Sequence, residues 1–303
     1  MSWLTDPLGY SFVVRALLEV VIVGVSCGAI GAYVIVRRLA FIGDAISHSV
    51  FPGIVVAYLL GASILGGALV AGLVTALSIV LVARGARIRE DTAIGIFFAA
   101  AFALGIVLIS TRRSFQGDLT AFLIGNLQGV SAADLWLSAG TAVAVVALLV
   151  AFHKELLLTS FDRTLAAAMG YPITALDALL LALLTVTIVI GIQAVGIILV
   201  LAMLVTPAAT ARLIVDRFTP MMVLGAVIGG AVGLIGYYIS FYAGIASGGT
   251  IVLVSTAVFV IVYVASPSHG VIAHRRRAHP QHAASEAAVD HRGNEEPETT
   301  PTA

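Results

Sequence analysis

Residues 12–36 read FVVRALLEVVIVGVSCGAIGAYVIV and are followed at once by Arg37-Arg38. The run is longer than the about 20 predominantly apolar residues that cross a bilayer as a helix. The paired arginines mark the point where it leaves the hydrocarbon. It is too long for a signal-peptide core and lacks a basic start, so it is predicted as a first membrane span. Comparable runs recur at 41–60, 62–83, 92–110, 135–152, 175–191, 194–213, 221–242 and 250–265, which makes nine spans. Two pairs of runs are separated only by Gly61 and by Gly191-Ile192-Gln193, which leaves eight or ten open.

Composition agrees with this reading. The 303 residues are 60% hydrophobic and 11% charged, against about 25% charged in soluble domains. A water-soluble fold of this size has no use for so much apolar surface. The chain is therefore expected to be an all-α, polytopic transmembrane helix bundle. The single cysteine, Cys27, can form no disulfide within the chain and is expected to be a small packing residue. Small residues recur where helices should approach closely: Gly24, Gly28 and Gly31; Gly225, Gly229 and Gly233; and Gly66 with Ala62.

The placement of basic residues predicts the orientation. If the Arg84/Arg87/Arg89 loop is cytoplasmic, alternation puts twelve basic residues inside and only Arg112 and Arg113 in an outer loop. The N-terminus is then outside and the C-terminus inside. After Pro267 the composition turns polar. Residues 268–303 hold Arg275-Arg276-Arg277, scattered histidines and Glu295-Glu296, and are expected to be a disordered cytoplasmic tail behind a membrane domain at 1–267. Its arginines would touch anionic lipid, and its histidines could hold metal transiently.

The most informative polar stretch is Arg37-Arg38-Leu39-Ala40-Phe41-Ile42-Gly43-Asp44-Ala45-Ile46-Ser47-His48. Asp44 and His48 lie one helical turn apart and project from one face. A charged group inside a bilayer segment costs roughly 2.5–3.5 kcal/mol, which makes such residues functional candidates. A carboxylate with an imidazole and no thiolate suits a passing Mn²⁺ or Zn²⁺, with Fe²⁺ also possible, and no permanently bound cofactor. Two ligands leave a metal shell incomplete, so further groups or a second copy of the helix across a two-fold axis are required. The same residues also permit a plainer reading, with Asp44 as a helix N-cap and His48 as an interfacial histidine. Depth is a further issue. One turn beyond Arg37-Arg38, the pair sits near the cytoplasmic side unless those arginines are tucked into the protein.

Ser160-Phe161-Asp162-Arg163-Thr164-Leu165-Ala166-Ala167-Ala168-Met169-Gly170-Tyr171-Pro172 has the start and stop signals of a short helix in a loop. Such a helix either lies on the membrane surface or docks into a partner. Gly191-Ile192-Gln193-Ala194-Val195-Gly196 and Thr206-Pro207 place breakers inside apolar sequence, as in transporters whose broken helices line polar paths, although a proline kink also serves structure alone. The chain has no Gly-Lys-Ser/Thr phosphate loop, no His-Glu-x-x-His and no Gly-x-Ser-x-Gly, so it is not expected to be an enzyme.

At these motifs the chain resembles the membrane-spanning permease subunit of bacterial ATP-binding-cassette importers for manganese, zinc or iron. The resemblance runs over about 12–267 and rests on the 37–48 signature with Pro52-Gly53, then Phe122-Leu123-Ile124-Gly125-Asn126. It continues through the Asp162…Gly170 loop, Val195-Gly196 to Pro207-Ala208-Ala209-Thr210-Ala211, and Ser247-Gly248-Gly249-Thr250. It implies a homodimeric permease in the bacterial cytoplasmic membrane, two cytoplasmic ATP-binding subunits that hydrolyse ATP, and an extracytoplasmic metal-binding protein. No nucleic-acid partner is expected. The resemblance makes Asp44 and His48 the metal ligands of the path. It makes Phe161, Asp162, Ala166, Gly170 and Pro172 part of the ATPase-coupling loop. The histidine- and arginine-containing tail departs from the pattern. Two rivals use the same pair differently: an ion-coupled secondary transporter, with Asp44 and His48 relaying protons, and an intramembrane metalloenzyme, which lacks a third ligand and a nearby general base.

Overall fold

The computed structural model describes residues 9–85, 90–110, 125 and 127–266. The tail, most of the Phe122–Asn126 motif, and Arg87, Arg89, Arg112 and Arg113 lie outside the described residues. Among the described residues there are twelve α-helices and no strand. They are α1 (Ser11–Val36), α2 (Ile42–Ser49), α3 (Phe51–Leu60), α4 (Ile64–Gly85), α5 (Glu90–Ser110), α6 (Ala132–Ala151), α7 (His153–Phe161), α8 (Arg163–Ala168), α9 (Ile173–Val195), α10 (Ile197–Ile214), α11 (Phe218–Ala243) and α12 (Ser247–Ala265). With α2 and α3 taken as one crossing, nine of these segments are long and apolar enough to span a bilayer, as the run lengths predict. The protein is a multi-pass membrane helix bundle.

The core forms around α1, which packs along α11 with backbone against backbone. A Cβ on Gly24 would lie 2.6 Å from the Gly229 carbonyl oxygen, and one on Gly28 2.3 Å from that of Gly225. Lipid tails are as apolar as side chains, so close van der Waals contact rather than hydrophobic exclusion holds membrane helices together. Cys27 is fully buried in this core, as expected of a packing residue. The prediction for Gly66 is wrong by one position. Gly66 meets only Ser63 of its own turn, whereas Gly67 packs against the Gly53 carbonyl oxygen, 2.3 Å from where its Cβ would stand. The pleasing spacing with Ala62 put the contact on the wrong face of α4.

Helix ends explain the remaining departures. α1 closes with a Schellman motif in which Leu39 N–H donates to the Val34 carbonyl and Arg38 N–H to that of Ile35. Arg38 takes the left-handed position, φ 59°, usually given to glycine. The predicted break at Gly191–Gln193 falls instead at Gly196, φ 87°. Gly191 stays helical because its missing side chain leaves room for Val200, whose Cγ2 would be 2.9 Å from a Cβ there. The second span passes from α2 to α3 at Val50, which keeps helical dihedrals, and Pro52 sits in the first turn of α3 where its missing N–H costs nothing.

The seam makes a graded prediction. Gly28→Leu must push α1 and α11 apart, and overpacking of this kind costs about 1–3 kcal/mol or more. Gly66→Ala meets nothing closer than 3.5 Å and should stay within about 0.5 kcal/mol of wild type. Thermal unfolding of the detergent-solubilised protein checks both; equal loss in the two variants would contradict the assigned seam.

Candidate metal pathway and coupling segment

Asp44 and His48 occupy one face of α2. The residue that caps α2 is Phe41, and Asp44 lies within the first turn without a capping hydrogen bond. The N-cap alternative is thereby removed. His48 Nε2 stands 3.5 Å from Asp44 Oδ1, and their side chains are 29% and 50% exposed. Ligand–metal distances near 2.1 Å at a tetrahedral angle place two donor atoms about 3.4 Å apart, so the pair is already spaced to share one ion. Among the described residues, no group of three or more His, Cys, Asp and Glu side chains gathers to hold a metal. The pair supplies two donor groups, with the Asp44 carboxylate half exposed.

The surroundings of His48 were not legible in the sequence. Phe98 and Phe102 of α5 meet its ring edge-on, with centroids 5.5 and 5.4 Å away. These two phenylalanines stack on each other one turn apart. Phe102, Ile106, Ile192 and Ile197 join Ser47 and His48 around a cavity of about 280 Å³. An i, i+4 aromatic pair on a predicted span is a usable signal only once its neighbour is known. The walls are apolar, so the ion would find its polar contacts at the pair itself.

The depth question turns on Arg37, which is tucked in. Its guanidinium is 8% exposed, and Nη1 donates to Asp177 Oδ1 at 2.5 Å. Nε donates to Ser160 Oγ and Nη2 to Thr159 Oγ1, each at 2.9 Å. Arg163 donates to the other oxygen of Asp177. Arg37 therefore does not fix the membrane surface, and α2 can lie deeper than its sequence distance from the arginines suggests. Asp177, in the first half of α9, was missed because its partners are distant in sequence.

The 160–172 segment folds as its signals predict. Asp162 Oδ1 accepts from Leu165 N–H at 2.8 Å, which starts α8. Gly170, φ 80°, ends it in a Schellman motif, with Tyr171 N–H donating to the Ala166 carbonyl. Ala166 is fully buried, whereas Phe161, Asp162, Gly170 and Pro172 are exposed. Phe161, Leu165 and Met169 expose 65%, 48% and 61% of their surface, an apolar face that no element covers among the described residues. α7 is held from behind by Tyr33 Oη, 3.1 Å from His153 Nδ1, and by Thr219 Oγ1, 3.0 Å from His153 Nε2.

The opposite end of α9 carries another set of motifs. A Cβ on Gly125 would lie 2.4 Å from the Val195 carbonyl, at the α9–α10 break. Gly125, Gln128, Ser247, Gly248 and Gly249 share a cavity of about 380 Å³ there. One charged residue stands apart from both ends. Glu19 of α1 is fully buried, with Ser138 of α6 beside its carboxylate. It escaped notice within a long apolar run.

Known proteins are similar to this chain. The chain is 44% identical over 265 residues to the manganese transport system membrane protein MntC of Halalkalibacterium halodurans, covering 88% of this chain and 91% of that one. It is 34% identical over 278 residues to a probable iron transport system membrane protein of Haemophilus influenzae, covering 92% and 98%. The solved structure of PsaBC from Streptococcus pneumoniae in complex with Fab superposes with a TM-score of 0.77 at 37% identity, covering 88% of this chain and 96% of that one. The model of the ABC 3 transport family matches residues 9–266, essentially every span from α1 to α12, and the chain belongs to that family.

Proposed function

We propose that this chain is the membrane-spanning permease of an ATP-driven importer for a divalent transition metal, with manganese the first candidate and zinc or ferrous iron the alternatives. The observation that carries the reading is the Asp44–His48 pair, set 3.5 Å apart on one face of α2 in a chain whose relatives carry manganese. Two copies meeting about a shared axis would bring two such pairs together and supply four ligands, an oxygen- and nitrogen-donor shell suited to Mn²⁺ or Zn²⁺. A pathway ligand must also release its ion, and a half-exposed carboxylate with no further anchor is suited to loose coordination.

The exposed apolar face of α8 is the docking surface for a cytoplasmic ATP-binding subunit. Its small size, buried Ala166 and capped ends make it a rigid peg rather than a loose loop. Arg37, Lys154, Arg163, Arg212 and Arg217 lie at or beside helix ends, and by the positive-inside rule they support a cytoplasmic location for α8 with the N-terminus outside. The opposite cavity at Gly125 and Ser247–Gly249 is then the face open to an extracytoplasmic metal-binding protein.

Asp44→Ala or His48→Ala should reduce manganese uptake by about a hundredfold or more, the upper part of the range for loss of a metal-site group, while the protein still inserts and assembles. Uptake of ⁵⁴Mn by a strain lacking its own importer reads this directly, and wild-type rates in either variant would refute the site. Leu165→Asp should abolish co-purification with the ATP-binding subunit. Energised uptake that persists without any such subunit would favour the ion-coupled secondary transporter.

A further inference from the structure

The Asp44–His48 pair and the coupling segment are more than 100 positions apart in sequence, yet one ion cluster holds the segment and, through Arg37, the turn that leads into α2. Arg37 closes α1 only a few residues before α2. Its guanidinium reaches Thr159 and Ser160 at the end of α7 and Asp177 in α9. Asp177 in turn is shared with Arg163, the first residue of α8. A single carboxylate, 8% exposed, thus ties the strand of chain that carries α2 to the helix that faces the ATPase. The backbone supports the same path: Arg38 is held left-handed, and Leu39, buried, locks the turn into α1. The link is short and stiff.

We propose that Arg37, Asp177 and Arg163 form a latch that transmits movement of α8 to α2, making them positioning residues for transport rather than anchors of the fold. This rests on the importer reading above. Three features support it. The carboxylate is divided between two arginines, one buried and one 47% exposed on its side chain, so displacement of Arg163 changes the field on the oxygen atoms that hold Arg37. A partly desolvated ion pair is strongly directional and weakens steeply when drawn apart. The triad also borders a cavity of about 260 Å³ shared with Leu39, Ile42 and Ile94, so its side chains have room to re-pair instead of sitting in solid packing. A static anchor needs none of these.

The test uses the complete complex with its ATP-binding subunit and metal-binding protein in liposomes, and measures Mn²⁺ delivered per ATP hydrolysed. If the wild-type complex hydrolyses ATP but moves no manganese, the importer reading fails before the latch is probed. With wild type active, Asp177→Asn should leave the complex assembled and ATP hydrolysis within about twofold, while Mn²⁺ per ATP falls about tenfold, inside the usual range of coupling between two sites. Asp177→Glu should recover most of the ratio. Arg37→Gln should match Asp177→Asn, and the double variant should be no worse than either, because one latch can be broken only once. An unchanged ratio overturns the proposal, as does a proportional fall of hydrolysis and uptake. Failure of both single variants to assemble also overturns it, since the triad would then belong to the fold.

Discussion

The pairing of Arg37 with Asp177 is the interaction on which the functional half of the structure depends. A guanidinium and a carboxylate withdrawn from water lose hydration worth several kcal/mol each, and their mutual attraction offsets this only with good geometry and further hydrogen bonds. Both conditions are met here. Arg37 directs its donors at Asp177, Ser160 and Thr159, and Asp177 accepts from a second arginine. Because the arginine stands between α1 and α2, the same pairing sets where the Asp44–His48 face begins.

The rest of the bundle serves to make that placement rigid. α1 is seated on α11 by carbonyl-to-glycine contact, and α7 is pinned behind it through His153. These contacts leave α1 little freedom along its axis. α2 by contrast lies between a left-handed turn at Arg38 and its junction with α3 at Val50. The Asp44–His48 pair is therefore carried by a short element that follows a fixed helix, and His48 borders an apolar cavity with Phe51 and Phe102 in its walls.

How much of this could be read beforehand follows the range of each interaction. Run lengths gave the spans, since bilayer thickness acts on each helix separately. Asp162 and Gly170 announced α8 because capping is decided within a turn or two. The i, i+4 spacing put Asp44 and His48 on one face for the same reason. Where sequence reasoning failed, a distant neighbour decided. Gly191 looked like a breaker until Val200 was seen to fill its missing side chain, and Gly67 rather than Gly66 met Gly53. Asp177, Phe98 and Phe102 carry no local mark of their roles. Glu19 was hidden because a run of apolar neighbours says how long a helix is, and nothing about which residue on it faces inward.

The short length of α2 has a mechanical consequence. Eight residues at 1.5 Å per residue make a rod of about 12 Å, so a 10° tilt about its Arg38 end moves the far end by about 2 Å. Asp44 sits near the pivot and His48 near the tip, so the same tilt displaces the two side chains unequally. A rotation too small to rearrange the surrounding spans is then enough to move the His48 ring against Phe98 and Phe102 farther than it moves Asp44.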